Sequence, residues 1–182
     1  MKPDFYVVQV RVYTSEMMAF YRDDPDRGTK EKPFNADLFS ELISPYAIFY
    51  GPLKNILLFR ANSIYQWKLE STDGRLLAFS KAASSSVLEM EMISNAPSEK
   101  KWKKVFKNAP TMQADGKIKV KSIKADQNVY ELETGSEIEG GSPVKYSFSF
   151  EFDDGNGITK YAIIDPYGDV FPPPPPGPPI RG

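Results

Sequence analysis

Apolar and polar residues alternate with a period of two along most of the chain. Residues 5–13 (FYVVQVRVY) place Tyr6, Val8, Val10 and Val12 on one face and Gln9 and Arg11 on the other, the pattern of a half-buried strand. Residues 46–50 (YAIFY) and 56–61 (ILLFRA) are short apolar strand candidates. Residues 64–70 set Tyr65, Trp67 and Leu69 against Gln66, Lys68 and Glu70. Asp73-Gly74 is a hairpin signal before residues 75–80 (RLLAFS). Alternation returns at 87–93, where Leu88, Met90 and Met92 oppose Glu89 and Glu91, and continues at 117–121 (KIKVK) and 129–133 (VYELE). Residues 143–152 alternate Val144, Tyr146, Phe148, Phe150 and Phe152 with Lys145, Ser147, Ser149 and Glu151. The turn Asp154-Gly155-Asn156-Gly157 then leads into 158–164 (ITKYAII) and predicts a hairpin.

Helical signal is sparse. Thr14 or Ser15 is placed to N-cap a short helix through Tyr21, with Met17, Met18, Phe20 and Tyr21 as its bulk. Residues 36–43 (ADLFSELI) and 98–107 (SEKKWKKVFK) have room for a turn or two each. Many short strands and little helix predict an all-β fold. Strands with one wet face favour an antiparallel β-sandwich, jelly-roll or Greek-key-like, over a parallel α/β sheet. The expected organisation is one domain over residues 1–170 and an extended proline-rich tail over 171–182.

Composition narrows the chemistry. The chain has 182 residues with no Cys and no His. Imidazole acid–base chemistry, thiolate nucleophiles, zinc-thiolate sites, disulfides and iron–sulfur clusters are thereby excluded. The 23 Lys and Arg nearly balance the 24 Asp and Glu, so no net field favours nucleic acid or anionic lipid. The first residues show no secretory pattern and no apolar run approaches a membrane span. The expectation is a soluble cytoplasmic protein that binds neither nucleic acid nor membrane.

Charge is distributed unevenly. Nine Lys fall between Glu99 and Lys124, with Glu99 and Asp115 the only acids there; between Asp126 and Asp169 ten acids face only Lys145 and Lys160. Solvated faces on neighbouring strands account for this most simply. A bipolar surface that favours salt-sensitive self-association is the functional alternative.

No constellation carries catalysis. Asp153-Asp154-Gly155-Asn156-Gly157 has calcium-loop residue types, but strands flank it and no later Glu completes an EF-hand, so it reads as a turn. Glu89 with Glu91, and Glu131 with Glu133, each share a strand face on the wet side, where carboxylates keep ordinary acidity. Phosphate-loop, dinucleotide and serine-hydrolase motifs are absent. Residues 135–141 (GSEIEGG) are acidic, the wrong sign for a phosphate cradle. No cofactor or metal is expected. Two surface candidates remain. Trp102, with Lys101 and Lys103 beside it, could stack a ligand such as a carbohydrate, whereas Trp67 shares a face with Tyr65 and Leu69 and reads as core. The segment Phe171-Pro172-Pro173-Pro174-Pro175 is similar to the ligands of polyproline-reading domains. The simpler reading is a solvated tail, or one lying on its own subunit or a neighbour.

The order of the pieces resembles the AidA/PixA family of bacterial inclusion-body proteins. The first strand runs into Thr14-Ser15 and an Asp/Pro-rich loop, Asp23-Asp24-Pro25-Asp26 through Pro33. Phe59-Arg60-Ala61 precedes a strand bearing Trp67; then come the aromatic-rich strand at 145–152, a Gly turn, and Tyr161 through Asp165-Pro166-Tyr167. The similarity spans about residues 5–168 and rests on order and spacing; Ile164 and the proline tail depart from the pattern. It implies a β-sandwich, self-association with a dimer as the leading homo-oligomer, a bacterial cytoplasmic setting with deposition in inclusion bodies, no enzyme activity, and a role in host-associated or quorum-regulated behaviour.

Overall fold

The computed structural model describes residues 2–43, 56–79, 88–92, 106–107, 111–112, 114, 118–120, 128–136 and 142–164. Twelve strands, one α-helix and one 3-10 turn make up the regular structure of these residues. The strands form two mixed sheets.

The first sheet has the order β10-β5-β1-β3. In it β1 (Asp4–Val12) lies parallel to β5 (Ser63–Ser71) over nine residue pairs, from Asp4–Ser63 to Val12–Ser71. The outer strands β3 (Ser40–Ile43) and β10 (Val129–Glu133) run antiparallel to their neighbours. The period-two pattern becomes rows of buried side chains across the sheet. Leu42, Val10 and Leu69 form one row, and Val8, Trp67 and Tyr130 the next.

The second sheet is built around β11 (Ser142–Asp153). Its residues 150–152 are flanked at once by β6 (Leu77–Phe79) and β12 (Thr159–Ile164). Residues 144–145 are flanked at once by β4 (Ile56–Phe59) and β7 (Leu88–Met92). Beyond β7 lie β9 (Ile118–Val120) and β8 (Thr111–Met112); beyond β12 lies β2 (Phe34–Asn35), which runs parallel to it. Phe79, Phe150, Ala162 and Phe34 meet in one buried row. Both sheets feed a single buried cluster, and the Phe79 ring of the second sheet lies 5.6 Å from Tyr130 of the first.

The strand expectations at 5–13, 64–70, 129–133, 143–152 and 158–164 correspond to β1, β5, β10, β11 and β12. Three expectations need correction. The sheets are mixed and not purely antiparallel, because β1–β5 and β2–β12 are parallel pairs. Alternation reports which face is wet but not the strand direction. Residues 36–43 give only a 3-10 turn (Asp37–Phe39) before β3, since the edge of β1 takes up Ser40–Ile43 as a strand. Finally, α1 (Thr14–Phe20) has Tyr13 at its N-cap and no capping side chain. Thr14 is fully buried within the first turn, so its hydroxyl is not in a capping position. A seven-residue helix is marginal alone; the buried Met17 fixes this one to the core. The strand candidate at 46–50 and most of the helix candidate at 98–107 lie outside the described residues. No helix among the described residues is long and apolar enough to cross a membrane.

Candidate functional site

Two surface constellations stand out, one aromatic and one polar. The aromatic one begins with α1. Met17 faces the core, and Tyr21, one turn later, closes the helix by donating its backbone N–H to the Met17 carbonyl (3.2 Å). Phe20, three residues after Met17, is 65% exposed. Its ring sits edge-on to Tyr21 at 4.9 Å and lies 5.3 Å from Phe39 of the 3-10 turn. Tyr21 in turn stacks on Phe34 at 5.2 Å, and its hydroxyl donates to the Asn35 carbonyl at 3.4 Å. Leu38, beside Phe39, is 81% exposed. The result is an aromatic ledge whose lower rings are anchored and whose upper members face outward.

The loop that follows the helix holds the ledge in place. Asp24 accepts from Arg27 Nε at 3.2 Å and from Lys32 Nζ at 3.3 Å. Desolvation raises the pKa of Asp24, but the two cations outweigh it and hold the carboxyl below its usual range. The Arg27 guanidinium, oriented by Asp24, lies over the Tyr21 ring at 5.7 Å. Gly28 receives a hydrogen bond from Tyr161 N–H (2.8 Å) and donates to the Lys32 carbonyl (2.9 Å), which ties the loop to β12.

The polar constellation joins α1, the 71–76 turn and the β11–β12 hairpin. Ser15 Oγ donates to Asp73 at 2.6 Å; Arg75 pairs with Asp73, donates to Ser15 Oγ at 3.3 Å and reaches the Asp154 carbonyl at 3.4 Å. A Ser beside an Asp invites a nucleophile reading. Here the carboxylate is neutralised by Arg75 and the hydroxyl oxygen already accepts from the same guanidinium. The group is a latch between loops, with no base available to activate the serine.

Of the carboxylates singled out in the sequence, Glu131, Glu133, Asp153 and Asp154 are held in structural contacts. Glu131 accepts from Gln66 at 2.8 Å across the β5–β10 pair, and Glu133 from Lys107 at 2.6 Å. The second contact joins the basic run to the acidic one. In the backbone register Glu89 faces Lys119 and Glu91 faces Lys145. Asp153 and Asp154 turn inward on their own hairpin. Asp153 accepts from Gly155 N–H at 2.7 Å and Asp154 from Asn156 N–H at 2.8 Å. That bond, against some desolvation and with help from Ile158 N–H, holds the Asp154 carboxyl below its usual range. Among the described residues no group of three metal-ligating side chains converges.

Trp67 is buried in the core, as its strand face implies. Burial is also the main influence on two phenols there. It pushes Tyr65 up to about 12, although Tyr65 Oη accepts from Arg60 N–H, and it raises Tyr130 further still. Trp102, Lys101 and Lys103 lie outside the described residues, as do Phe171, Pro172, Pro173, Pro174 and Pro175. The apolar pairs Phe20-Tyr21 and Leu38-Phe39 were legible in the sequence, but which member of each stays exposed was not, because tertiary neighbours decide it. The Arg75 latch had no sequence signal, since Ser15 and Asp154, the partners it joins to the Asp73 turn, are 60 and 79 residues away. Compared with protein-family models and with curated proteins, the chain matches none.

Proposed function

We propose that this is a non-enzymatic, self-associating β-sandwich protein of jelly-roll or Greek-key type, resembling the AidA/PixA inclusion-body family. In this reading it works as a cytoplasmic homo-oligomer in a bacterium, with the dimer as its basic unit. The two strand-rich sheets and the single buried cluster that they share support the sandwich part of this reading.

One observation carries the self-association. Leu76 is 90% exposed and Ile158 is 54% exposed. They immediately precede β6 and β12, the two strands that flank the same end of β11. Two apolar side chains therefore project at one hairpin end of the second sheet. Their burial between two copies would recover solvent-exposed apolar area. Sedimentation velocity over a concentration series, at low and at moderate salt, tests the proposal. A dimer is expected, and Leu76→Glu with Ile158→Lys should shift it to monomer. A strict monomer at high concentration in both salts would overturn the reading.

A further inference from the structure

The topology brings the aromatic ledge and the C-terminal end of β12 to the same end of the second sheet. β12 runs parallel to β2, with Ala162 opposite Phe34 and Ile163 opposite Asn35. Ala36 N–H donates to the Ile163 carbonyl at 2.9 Å. Two parallel strands deliver their following residues toward the same end of the sheet. After Asn35 the chain enters the 3-10 turn that carries Leu38 and Phe39. The end of β12 therefore lies beside Ala36, at the end of the sheet that carries the ledge.

The reach is short. Leu38 is three residues beyond Asn35, within about 11 Å of it along the chain. Six residues, 165–170, separate Ile164 from Phe171, and they can span up to about 20 Å. The tail segment then supplies Phe171 and five consecutive prolines, Pro172 to Pro176. A polyproline helix exposes flat pyrrolidine faces and unpaired carbonyls, and docks on exposed aromatic rings at little entropic cost. The ledge offers that counterpart in Phe20, Tyr21 and Phe39, with centroids 4.9 to 6.4 Å apart, and in exposed Leu38.

We propose that the ledge is a polyproline-binding surface and that its occupant is residues 171–176 of the same chain. Docking would cover Phe20 and Leu38, while Leu76 and Ile158 remain available for self-association. The proposal goes beyond the functional reading above and does not depend on it.

The chain has no Cys, so Gly177→Cys gives a single site for a nitroxide spin label directly after the prolines. In amide NMR spectra of the full-length labelled chain, residues 18–22 and 37–39 should lose most of their intensity relative to the reduced label. A mixture of spin-labelled unenriched chain with enriched unlabelled chain should show no such loss. Phe20→Ser with Leu38→Ser should abolish the effect. Pro173→Gly with Pro175→Gly should do the same without altering the domain, which covers the case in which the ledge variant fails to fold. Weak, uniform broadening, or broadening centred elsewhere, would overturn the proposal. Broadening of the ledge in the mixed sample would assign the site to a neighbour's tail and equally reject the intramolecular assignment.

Discussion

Gly28 and Gly74 form a matched pair from which the packing beneath the ledge can be measured. Both have φ of +81°, a left-handed conformation that costs an L-residue about 1–2 kcal/mol. Substitution by alanine also lowers the unfolded-chain entropy by a similar amount at either site, about 0.4–1 kcal/mol. These two contributions cancel when the variants are compared. What differs is the space. A Cβ on Gly74 meets nothing within 4 Å, whereas one on Gly28 falls 2.6 Å from both Cε2 and Cζ of Phe34. The Lys160 methylene at 3.1 Å is the far part of a flexible side chain and can move aside. Phe34 has little freedom to do so: it is buried, Tyr21 stacks on it at 5.2 Å and Phe152 lies at 6.4 Å.

Forcing a methyl into a packed site costs about 1–3 kcal/mol. Gly28→Ala is therefore expected to be less stable than Gly74→Ala by that amount. For a chain of this size each kcal/mol lowers Tm by about 2–4 °C. Urea titrations should show a lower midpoint for Gly28→Ala with an unchanged slope, and thermal melts should agree. Equal midpoints for the two variants would refute the close approach of Gly28 to Phe34, and with it the account of how the ledge is supported.

Thr134 is fully buried, accepts from Ser63 N–H at 2.9 Å and donates to the Arg60 carbonyl at 2.6 Å. Thr134→Val should cost about 1–3 kcal/mol in urea unfolding, because it leaves polar groups without their partner. Phe150→Ala, in the centre of the second sheet, should cost about 3–5 kcal/mol by the same assay. Acidification should weaken the fold through Asp154. Its folded-state pKa is depressed, so its contribution is present above the unfolded value near 3.8 and is lost as pH falls through the lower folded value. Unfolding midpoints measured from pH 5 downward should accordingly decline less in Asp154→Asn than in the parent. At the alkaline end the sign reverses. Tyr65 is raised from 10.0 to about 12, so the stability that its neutral form contributes is complete below pH 10 and is lost between pH 10 and 12. Ultraviolet phenolate titration should show an ionisation that appears only in step with unfolding.

The strand faces were legible because burial acts residue by residue. Val8, Val10 and Val12 alternate with polar neighbours, and all three are buried in β1. Strand direction is a different kind of information. Asp4–Val12 pairs with Ser63–Ser71 in parallel only after the chain has passed through α1 and several other strands. A parallel pair needs such a crossover, and a period of two is the same with or without it. Residues 36–43 show the opposite ambiguity. Leu38, Phe39, Leu42 and Ile43 have helical spacing. Yet β1 presents an edge whose Gln9–Val12 pair with Ser40–Ile43, and that pairing limits the helix to a single 3-10 turn. Tertiary pairing outweighs local propensity here.

The same reasoning explains why the ledge exists. On a helix, the residues three and four positions after Met17 both lie on its side, so Phe20 and Tyr21 compete for the space beside it. Tertiary packing selects Tyr21, because Phe34 from β2 supplies a ring for it to stack on. Phe20 is left to Phe39 and solvent. Nothing in the local sequence makes that choice. It depends on β2 lying parallel to β12, which also sets the end of β12 beside the ledge. One pairing thus sets both the exposed apolar surface and the point from which the proposed docking segment departs. A substitution that unseats β2, such as Gly28→Ala acting through Phe34, should therefore weaken tail docking along with stability. Phe20→Ser should weaken docking alone, because its side chain contributes little buried area to the core.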